Sequence, residues 1–219
     1  MTIPAGVPIA WIWIANVALA AIVLLSARRA PWAHLAPNEG SHVFLGAIVA
    51  LTLLWMMTGR LGTVVQFHLL GATLAYLMFG LPLAVIVMTA VTFIAAAVGT
   101  VPWPTVALTA LVSGVLPAAI AHGILRLTEA KLPGNLFIYV FVAAFFGAAV
   151  AMVLSSACAA LVIALGLPPG KMNAPEWLPM FILLGFGEAT LTGMLAALFV
   201  VYCPTWIRTF RDERYLRRP

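Results

Sequence analysis

Long apolar stretches separated by short turns of proline, glycine and charged residues dominate the chain. A transmembrane helix needs ~20 consecutive apolar residues to cross the bilayer hydrocarbon, and most of the stretches reach that length. The pattern therefore predicts an all-α, polytopic membrane protein with about seven transmembrane helices. The predicted segments are 9–27, 41–58, 67–79, 81–99, 105–127, 136–166 and 178–202.

Two of the predicted segments depart from the length of a single span. Segment 67–79 has 13 residues, or about 20 Å at ~1.5 Å per residue, and it is predicted to be a half-helix or a short buried helix. Segment 136–166 has 31 residues, or about 46 Å by the same rise. A helix of that length must tilt, kink near Gly147 or project from the bilayer.

The composition narrows the class of protein further. Of the 219 residues, 64% are hydrophobic and only 8% are charged, whereas soluble domains have about 25% charged residues. So few charged side chains exclude a soluble enzyme, a nucleic-acid-binding domain and a disordered chain. Because every connection between the apolar segments is short, residues 1–219 are predicted to form a single transmembrane helical bundle.

The positive charges predict how the chain is oriented in the membrane. With the amino terminus outside and seven crossings, nine of the eleven lysines and arginines fall on the cytoplasmic side, where such residues concentrate. Only Arg60 and Lys171 then lie outside. Residues 208–219 contain five arginines and are predicted to form a basic cytoplasmic tail, with acidic lipid headgroups as secondary binding partners.

Glu188 is the clearest candidate functional residue, because a charged side chain within hydrocarbon costs ~2.5–3.5 kcal/mol on insertion scales. It lies within the last predicted segment, between Gly185 and Gly193. It must face the bundle interior, either as a cation or proton ligand or as an interhelical hydrogen-bonding group that holds the bundle together. Asn16, in the first segment, is the nearest candidate partner for Glu188. If Glu188 has only a bonding role, Glu188→Gln is expected to fold normally.

His68 opens the short third segment. Non-helical backbone at membrane depth is tolerated only where protein or a water-filled cavity surrounds it. Imidazole is also the commonest protein ligand for transition metals. The position of His68 therefore fits either a metal ligand or an imidazole that is hydrogen-bonded to a backbone carbonyl near the outer interface.

The sequence contains no catalytic motif that we recognise. A phosphate loop, a nucleophile elbow, a zinc-protease helix and a dinucleotide fingerprint are all missing. We therefore expect no enzymatic activity, no resident cofactor and no ATP hydrolysis by this chain. If it takes part in ATP-driven transport, another polypeptide must supply the ATPase.

Two short motifs, together with the pattern of segments, resemble a known transporter family. Residues 1–6, Met-Thr-Ile-Pro-Ala-Gly, are similar to the family opening Met-His-Ile-Pro-Asp-Gly, and residues 67–72, Phe-His-Leu-Leu-Gly-Ala, are similar to its Gly-His-Leu-Ile-Gly-Gly stretch. The chain resembles the CbiM/NikM family, the substrate-binding membrane component of cobalt and nickel energy-coupling-factor transporters. The resemblance implies a multi-pass protein of the bacterial cytoplasmic membrane that works with a coupling transmembrane subunit and a pair of ATPases.

The resemblance also implies a metal site made by the start of the chain. In the family, the terminal amine, the imidazole and backbone nitrogen of a second-residue histidine, and the histidine before the third span form a flat nitrogen site, a geometry that suits Ni(II) and Cu(II). Met1 and His68 match two of these residues, but position 2 is Thr2 and the family aspartate is Ala5. A small residue such as Thr2 also generally permits removal of Met1 during processing.

These departures predict a degenerate site that binds Ni(II) or Co(II) weakly at Met1 and His68, with Glu188 and Asn16 as supporting groups. Two functions remain open at this point. One is a substrate-binding subunit of a metal transporter. The alternative is a non-transporting accessory subunit that packs against a larger respiratory or photosynthetic membrane complex.

Overall fold

Helices account for most of the chain, as the apolar pattern predicts. The structure, a computed structural model, describes residues 1–36, 38–61, 65–168 and 174–215. The helices are α1 (Ile9–Arg29), α2 (Asn38–Met56), α3 (Ala72–Phe79), α4 (Leu81–Ala97), α5 (Trp103–Lys131), α6 (Leu136–Gly166), α7 (Ala174–Tyr202) and a short terminal helix, α8 (Asp212–Tyr215).

Five helices in the described part of the chain are long and apolar enough to cross a membrane. They are α1, α2, α5, α6 and the Pro179–Tyr202 part of α7. Helix α4 is apolar but has 17 residues, and α3 has only 8 residues. Large apolar side chains such as Trp13 and Val17 on α1 are exposed, as expected of a helix that faces lipid. The all-α, polytopic prediction is confirmed, whereas seven spans and the orientation stay predictions.

The short third segment folds differently from its prediction at its start. The prediction of a helix from residue 67 is wrong, because Phe67 belongs to strand β2 (Val65–Phe67), which pairs antiparallel with β1 (Gly59–Leu61). This hairpin is the only sheet among the described residues. Helix α3 begins at Ala72, and all eight of its residues are buried. The prediction of a short buried helix is therefore correct from that residue onward.

Helices α3 and α4 meet at a sharp corner without an intervening loop. Gly80 adopts φ +76°, a conformation that favours glycine, and its N–H donates to the Tyr76 carbonyl at 2.8 Å. Pro82 follows in the first turn of α4, where a missing N–H costs no helical hydrogen bond. The corner places α3 against α4 in the centre of the bundle.

Two of the long helices contain π-helical segments. One covers Leu111–Val115 of α5, and the other covers Tyr139–Phe146 of α6, directly before Gly147. Such wide turns interrupt the regular hydrogen-bond ladder and often occur at functional sites. The α5 segment contains Ser113, which contacts the start of the chain.

The residues after α7 return to the bundle and pack against the carboxyl end of α3. The backbone N–H of Arg208 donates to the Met78 carbonyl at 3.0 Å, and that of Thr209 donates to the Leu77 carbonyl at 3.2 Å. These bonds satisfy carbonyl groups that a helix end leaves free. The described part of the predicted basic tail therefore lies on the bundle. The basic residues outside the described part of the chain are Lys171, Arg217 and Arg218.

Candidate metal site at the amino terminus

The first three residues lie inside the bundle, bound by three hydroxyl groups of α5. The hydroxyl of Thr105 donates to the Ile3 carbonyl at 2.6 Å, and the Ile3 N–H donates to the Thr109 hydroxyl at 3.2 Å. The hydroxyl of Ser113 donates to the Met1 carbonyl at 2.6 Å. Residues four apart share one face of a helix, so these hydroxyls form a ladder along α5. The ladder contacts backbone atoms of residues 1–3.

Removal of a single hydroxyl of the ladder is expected to loosen the start of the chain. Ser113→Ala is expected to lower the free energy of unfolding by about 1–2 kcal/mol, because the buried Met1 carbonyl loses its donor. Thermal unfolding in detergent measures the loss, and acylation of the Met1 amine should become faster. Ser155→Ala is a matched control, since the buried Ser155 hydroxyl has no hydrogen-bond partner. An equal loss in both variants would contradict the role of the ladder.

The ladder brings the amino-terminal nitrogen of Met1 to His68. The two nitrogens, Met1 N and His68 Nε2, are 3.1 Å apart and buried. His68 Nδ1 lies 3.0 Å from the Leu69 carbonyl, which can only accept, so Nδ1 carries the ring proton and Nε2 has its lone pair free toward the amine. The Trp55 ring packs on the imidazole with a centroid separation of 4.2 Å. The imidazole is therefore fixed in both its tautomer and its orientation.

Burial favours the uncharged form of both nitrogens of this pair. It lowers the pKa of the Met1 amine to about 5 and lowers the pKa of the His68 imidazole well below its usual range, because a charged group loses its hydration in a buried position. At neutral pH each nitrogen keeps a lone pair. Neutral amines and imidazoles are the forms that bind transition metals.

Glu188 holds the loop that carries His68. Its Oε2 accepts from the Leu70 N–H at 2.8 Å and its Oε1 accepts from the Gly71 N–H at 2.7 Å. The indole N–H of Trp55 donates to the Leu70 carbonyl at 2.9 Å. Because both carboxylate oxygens accept hydrogen bonds from backbone amides, the geometry favours a hydrogen-bonding role of Glu188 over a role as a cation or proton ligand. Sequence reasoning singled out Glu188 but did not identify the loop as its partner.

Gly71 ends this loop in a conformation that requires glycine. Its φ is +66°, and a Cβ added there would collide with the Leu51 side chain. Gly71→Ala is expected to lower the free energy of unfolding by about 1–3 kcal/mol, from the left-handed backbone and the collision together. Thermal unfolding should show a smaller loss for Gly99→Ala, where φ is +86° but nothing lies within 4 Å of the added atom. Equal losses would exclude any contribution from Leu51.

Asn16 does not reach Glu188, contrary to the sequence-based expectation. It lies on an exposed part of α1, and its side-chain N–H donates to the Ile12 carbonyl of the same helix at 2.8 Å. A side-chain amide in a helix can donate to a backbone carbonyl of the preceding turn, and it then needs no hydrogen-bond partner on another helix. Asn16 is therefore not part of the site.

The nitrogen pair is the candidate metal site among the described residues. No cluster of three or more His, Cys, Asp or Glu side chains that could hold a metal occurs among them. Thr2 contributes no imidazole, and its backbone N–H donates to the Gln66 carbonyl of β2 at 3.2 Å. The sequence did not reveal the hydroxyl ladder, although hydroxyl residues spaced four apart in an apolar helix were a visible signal.

The fold and the site define a multi-pass membrane protein with a buried pair of nitrogen donors at its amino terminus. Residues 3–206 match the CbiM family, described as the cobalt uptake substrate-specific transmembrane region. The chain belongs to this family. A comparison with curated proteins finds no match.

Two solved structures share the fold. One is the crystal structure of a transition metal transporter, with a TM-score of 0.72, 19% sequence identity, and coverage of 92% of this chain and 93% of that chain. The other is a truncated transition metal transporter, with a TM-score of 0.71, 19% identity, and coverage of 92% and 98%. At this identity the likeness establishes the fold alone.

Proposed function

We propose that the protein is the substrate-binding membrane component of a cobalt or nickel energy-coupling-factor transporter, and that its metal site is degenerate. The observation that carries the proposal is the buried pair of Met1 N and His68 Nε2, 3.1 Å apart. Membership of a cobalt-uptake family supports the same class of function. The metal ion would be a substrate that passes through the site, and no enzymatic reaction is involved.

The site would act by holding two donor atoms in place before the ion arrives. The hydroxyl ladder fixes the Met1 backbone, while Glu188 and Trp55 fix the loop of His68. Little conformational entropy is then lost when an ion binds. The missing imidazole at Thr2 leaves fewer protein ligands, so water would complete the coordination and the ion would be released readily.

The proposed partners are a coupling transmembrane subunit and a pair of ATPases in a bacterial cytoplasmic membrane. The chain itself has no ATP-binding motif, so energy for transport must come from another subunit. The alternative function, an accessory subunit of a larger respiratory or photosynthetic complex, is favoured by one observation. Thr2 stands where the resemblance requires an imidazole ligand.

Co-purification in mild detergent tests the two functions against each other. ATPase subunits that co-purify with the full chain, together with weak binding of Ni(II) or Co(II) by calorimetry, are the results expected for transport. A respiratory or photosynthetic complex recovered without ATPases, and no metal binding, would overturn transport in favour of the accessory role.

The proposed orientation has its own test. Single cysteines replace Thr100, between α4 and α5, and Asp212, in α8, after Cys158 and Cys203 have been changed to alanine. A membrane-impermeant maleimide is expected to label Thr100→Cys in intact cells and Asp212→Cys only after the membrane is opened, because positive charge concentrates in the cytoplasm. The reverse labelling pattern would contradict an outside amino terminus.

A further inference from the structure

An apolar groove with a volume of about 550 Å³ lies between α2, α3 and α7. Its lining covers positions 42–54 of α2 and 191–199 of α7, which is about 12–18 Å of helix at ~1.5 Å per residue. The hydrocarbon core of a bilayer is ~30 Å thick, so the groove is about as long as one leaflet. Its main apolar lining residues are Leu51, Leu54, Leu74, Leu191, Leu195 and Phe199.

A second cavity of about 390 Å³ adjoins the groove, and its lining is mostly apolar but includes the charged side chains of Glu39 and Arg208. Val43, Met78 and Trp206 line both spaces. The indole N–H of Trp206 donates to Glu39 Oε1 at 3.3 Å, and tryptophan is enriched at the level of lipid headgroups. The combined space is therefore apolar along the groove and contains charged side chains at one end.

At this end of the space, which Glu39 also lines, Arg208 supplies a positive charge. Its guanidinium is exposed, lines the cavity, and donates one bond from Nη1 to the Phe79 carbonyl at 3.3 Å. Arg208 also lines a neighbouring cavity of about 360 Å³ together with Arg126, Arg211 and Glu129, and the Glu129 carboxylate lies 3.7 Å from the Arg211 guanidinium. Guanidinium groups bind phosphate through paired hydrogen bonds. This end of the space therefore suits a phosphate group.

We propose that the groove and the adjoining cavity bind one phospholipid, with an acyl chain in the groove and the phosphate at Arg208. A phospholipid joins an apolar chain one leaflet long to an anionic phosphate, which are the two features that the space requires. A transmembrane helix of a partner would need a groove through the full ~30 Å of hydrocarbon. At this end of the space the three arginines, Arg208, Arg126 and Arg211, outnumber the carboxylates of Glu39 and Glu129, and the net positive charge favours an anionic headgroup over a zwitterionic one.

The bound chain would also touch the loop of the candidate metal site. Gly71 and Leu51 line the inner end of the groove, and Leu51 packs against Gly71 of the loop that carries His68. The lipid site does not depend on metal binding, so its test is separate from the test of the proposed function.

Native mass spectrometry of the full chain, delipidated in detergent and titrated with phosphatidylglycerol, tests the proposal. Wild type is expected to bind one phosphatidylglycerol and to prefer it over phosphatidylcholine. Leu195→Trp fills the groove from α7, and Ala47→Phe fills it independently from α2. Each filling variant, and Arg208→Gln, is expected to weaken binding by about tenfold or more. The controls Leu183→Trp, on a lipid-facing part of α7, and Arg28→Gln should bind as wild type does.

The same spectra contain the outcomes that would overturn the proposal. One is unchanged lipid binding in both filling variants, with thermal unfolding used to confirm that each variant is folded. Another is an equal loss in the controls, which would indicate unspecific lipid around the bundle. Displacement of the lipid by inorganic phosphate would assign Arg208 to a free anion. The spectra could also show that the filling variants keep their lipid but lose a bound second copy of the chain or another polypeptide. That result would identify the groove as a protein interface.

Discussion

Thr2→His is expected to bind Ni(II) or Co(II) at least about 100-fold more tightly than wild type. Changes to the groups that merely support a metal ligand alter affinity by ~10–100-fold, and a direct imidazole ligand should contribute at least as much. The backbone of Met1 and Ile3 is already held by the α5 hydroxyls, so the rearrangement would be confined to the buried surroundings of the side chain at position 2. Isothermal titration calorimetry of both purified proteins measures the difference.

Removing the second imidazole checks that the gain comes from the predicted site. His68→Ala in the Thr2→His background should abolish the gain, and intact mass must show that Met1 is retained in each protein compared. Tight one-to-one binding by wild type would contradict the degenerate site. No gain in Thr2→His would mean that the pocket no longer accepts a metal, and the accessory role would then be favoured.

Glu188→Leu is expected to lower the free energy of unfolding by roughly 2–6 kcal/mol. It leaves the N–H groups of Leu70 and Gly71 buried without an acceptor, at about 1–3 kcal/mol each. Thermal unfolding in detergent, compared with Glu213→Leu at an exposed carboxylate of α8, measures the effect. The control should stay within about 0.5 kcal/mol of wild type. A Glu188→Leu protein as stable as wild type would exclude the bonding role.

The structure changes what is expected of Glu188→Gln. The sequence alone predicts that glutamine is an adequate replacement, since an amide still forms hydrogen bonds. Both oxygens of Glu188 accept from backbone N–H groups, whereas glutamine has one acceptor oxygen and would turn its NH₂ toward the other N–H. The loss for Glu188→Gln should therefore lie between those of wild type and Glu188→Leu. A loss equal to that of Glu188→Leu would mean that charge, and not acceptor number, holds the loop.

The fold was largely predictable because its dominant signal is local. Apolar length alone indicates which stretches form long helices, and the 13 residues of segment 67–79 already indicated a helix too short to span. The start of α3 at Ala72 was not predictable. It depends on Glu188, which lies more than a hundred positions away and accepts from the N–H groups of Leu70 and Gly71.

The candidate site was predictable only in part, for a similar reason. Composition and resemblance together singled out Met1 and His68, because an imidazole in an apolar chain is conspicuous. The hydroxyls of Thr105 and Ser113 were not predicted, since their partners are backbone carbonyls that carry no residue-specific signal. The expectation for Asn16 failed because a local bond to the Ile12 carbonyl satisfies its side chain.

The hydroxyl ladder has a consequence for how this protein could change over evolutionary time. Because it binds main-chain atoms of Met1 and Ile3, its hydrogen bonds do not depend on which amino acid occupies position 2, provided that the new side chain fits the buried position of Thr2. Under the proposed function, the bundle specifies where the amino terminus lies, and the side chain at position 2 would specify how firmly the metal ion is held. Metal binding could then be lost and regained during evolution by substitutions at position 2, without any change in the helices.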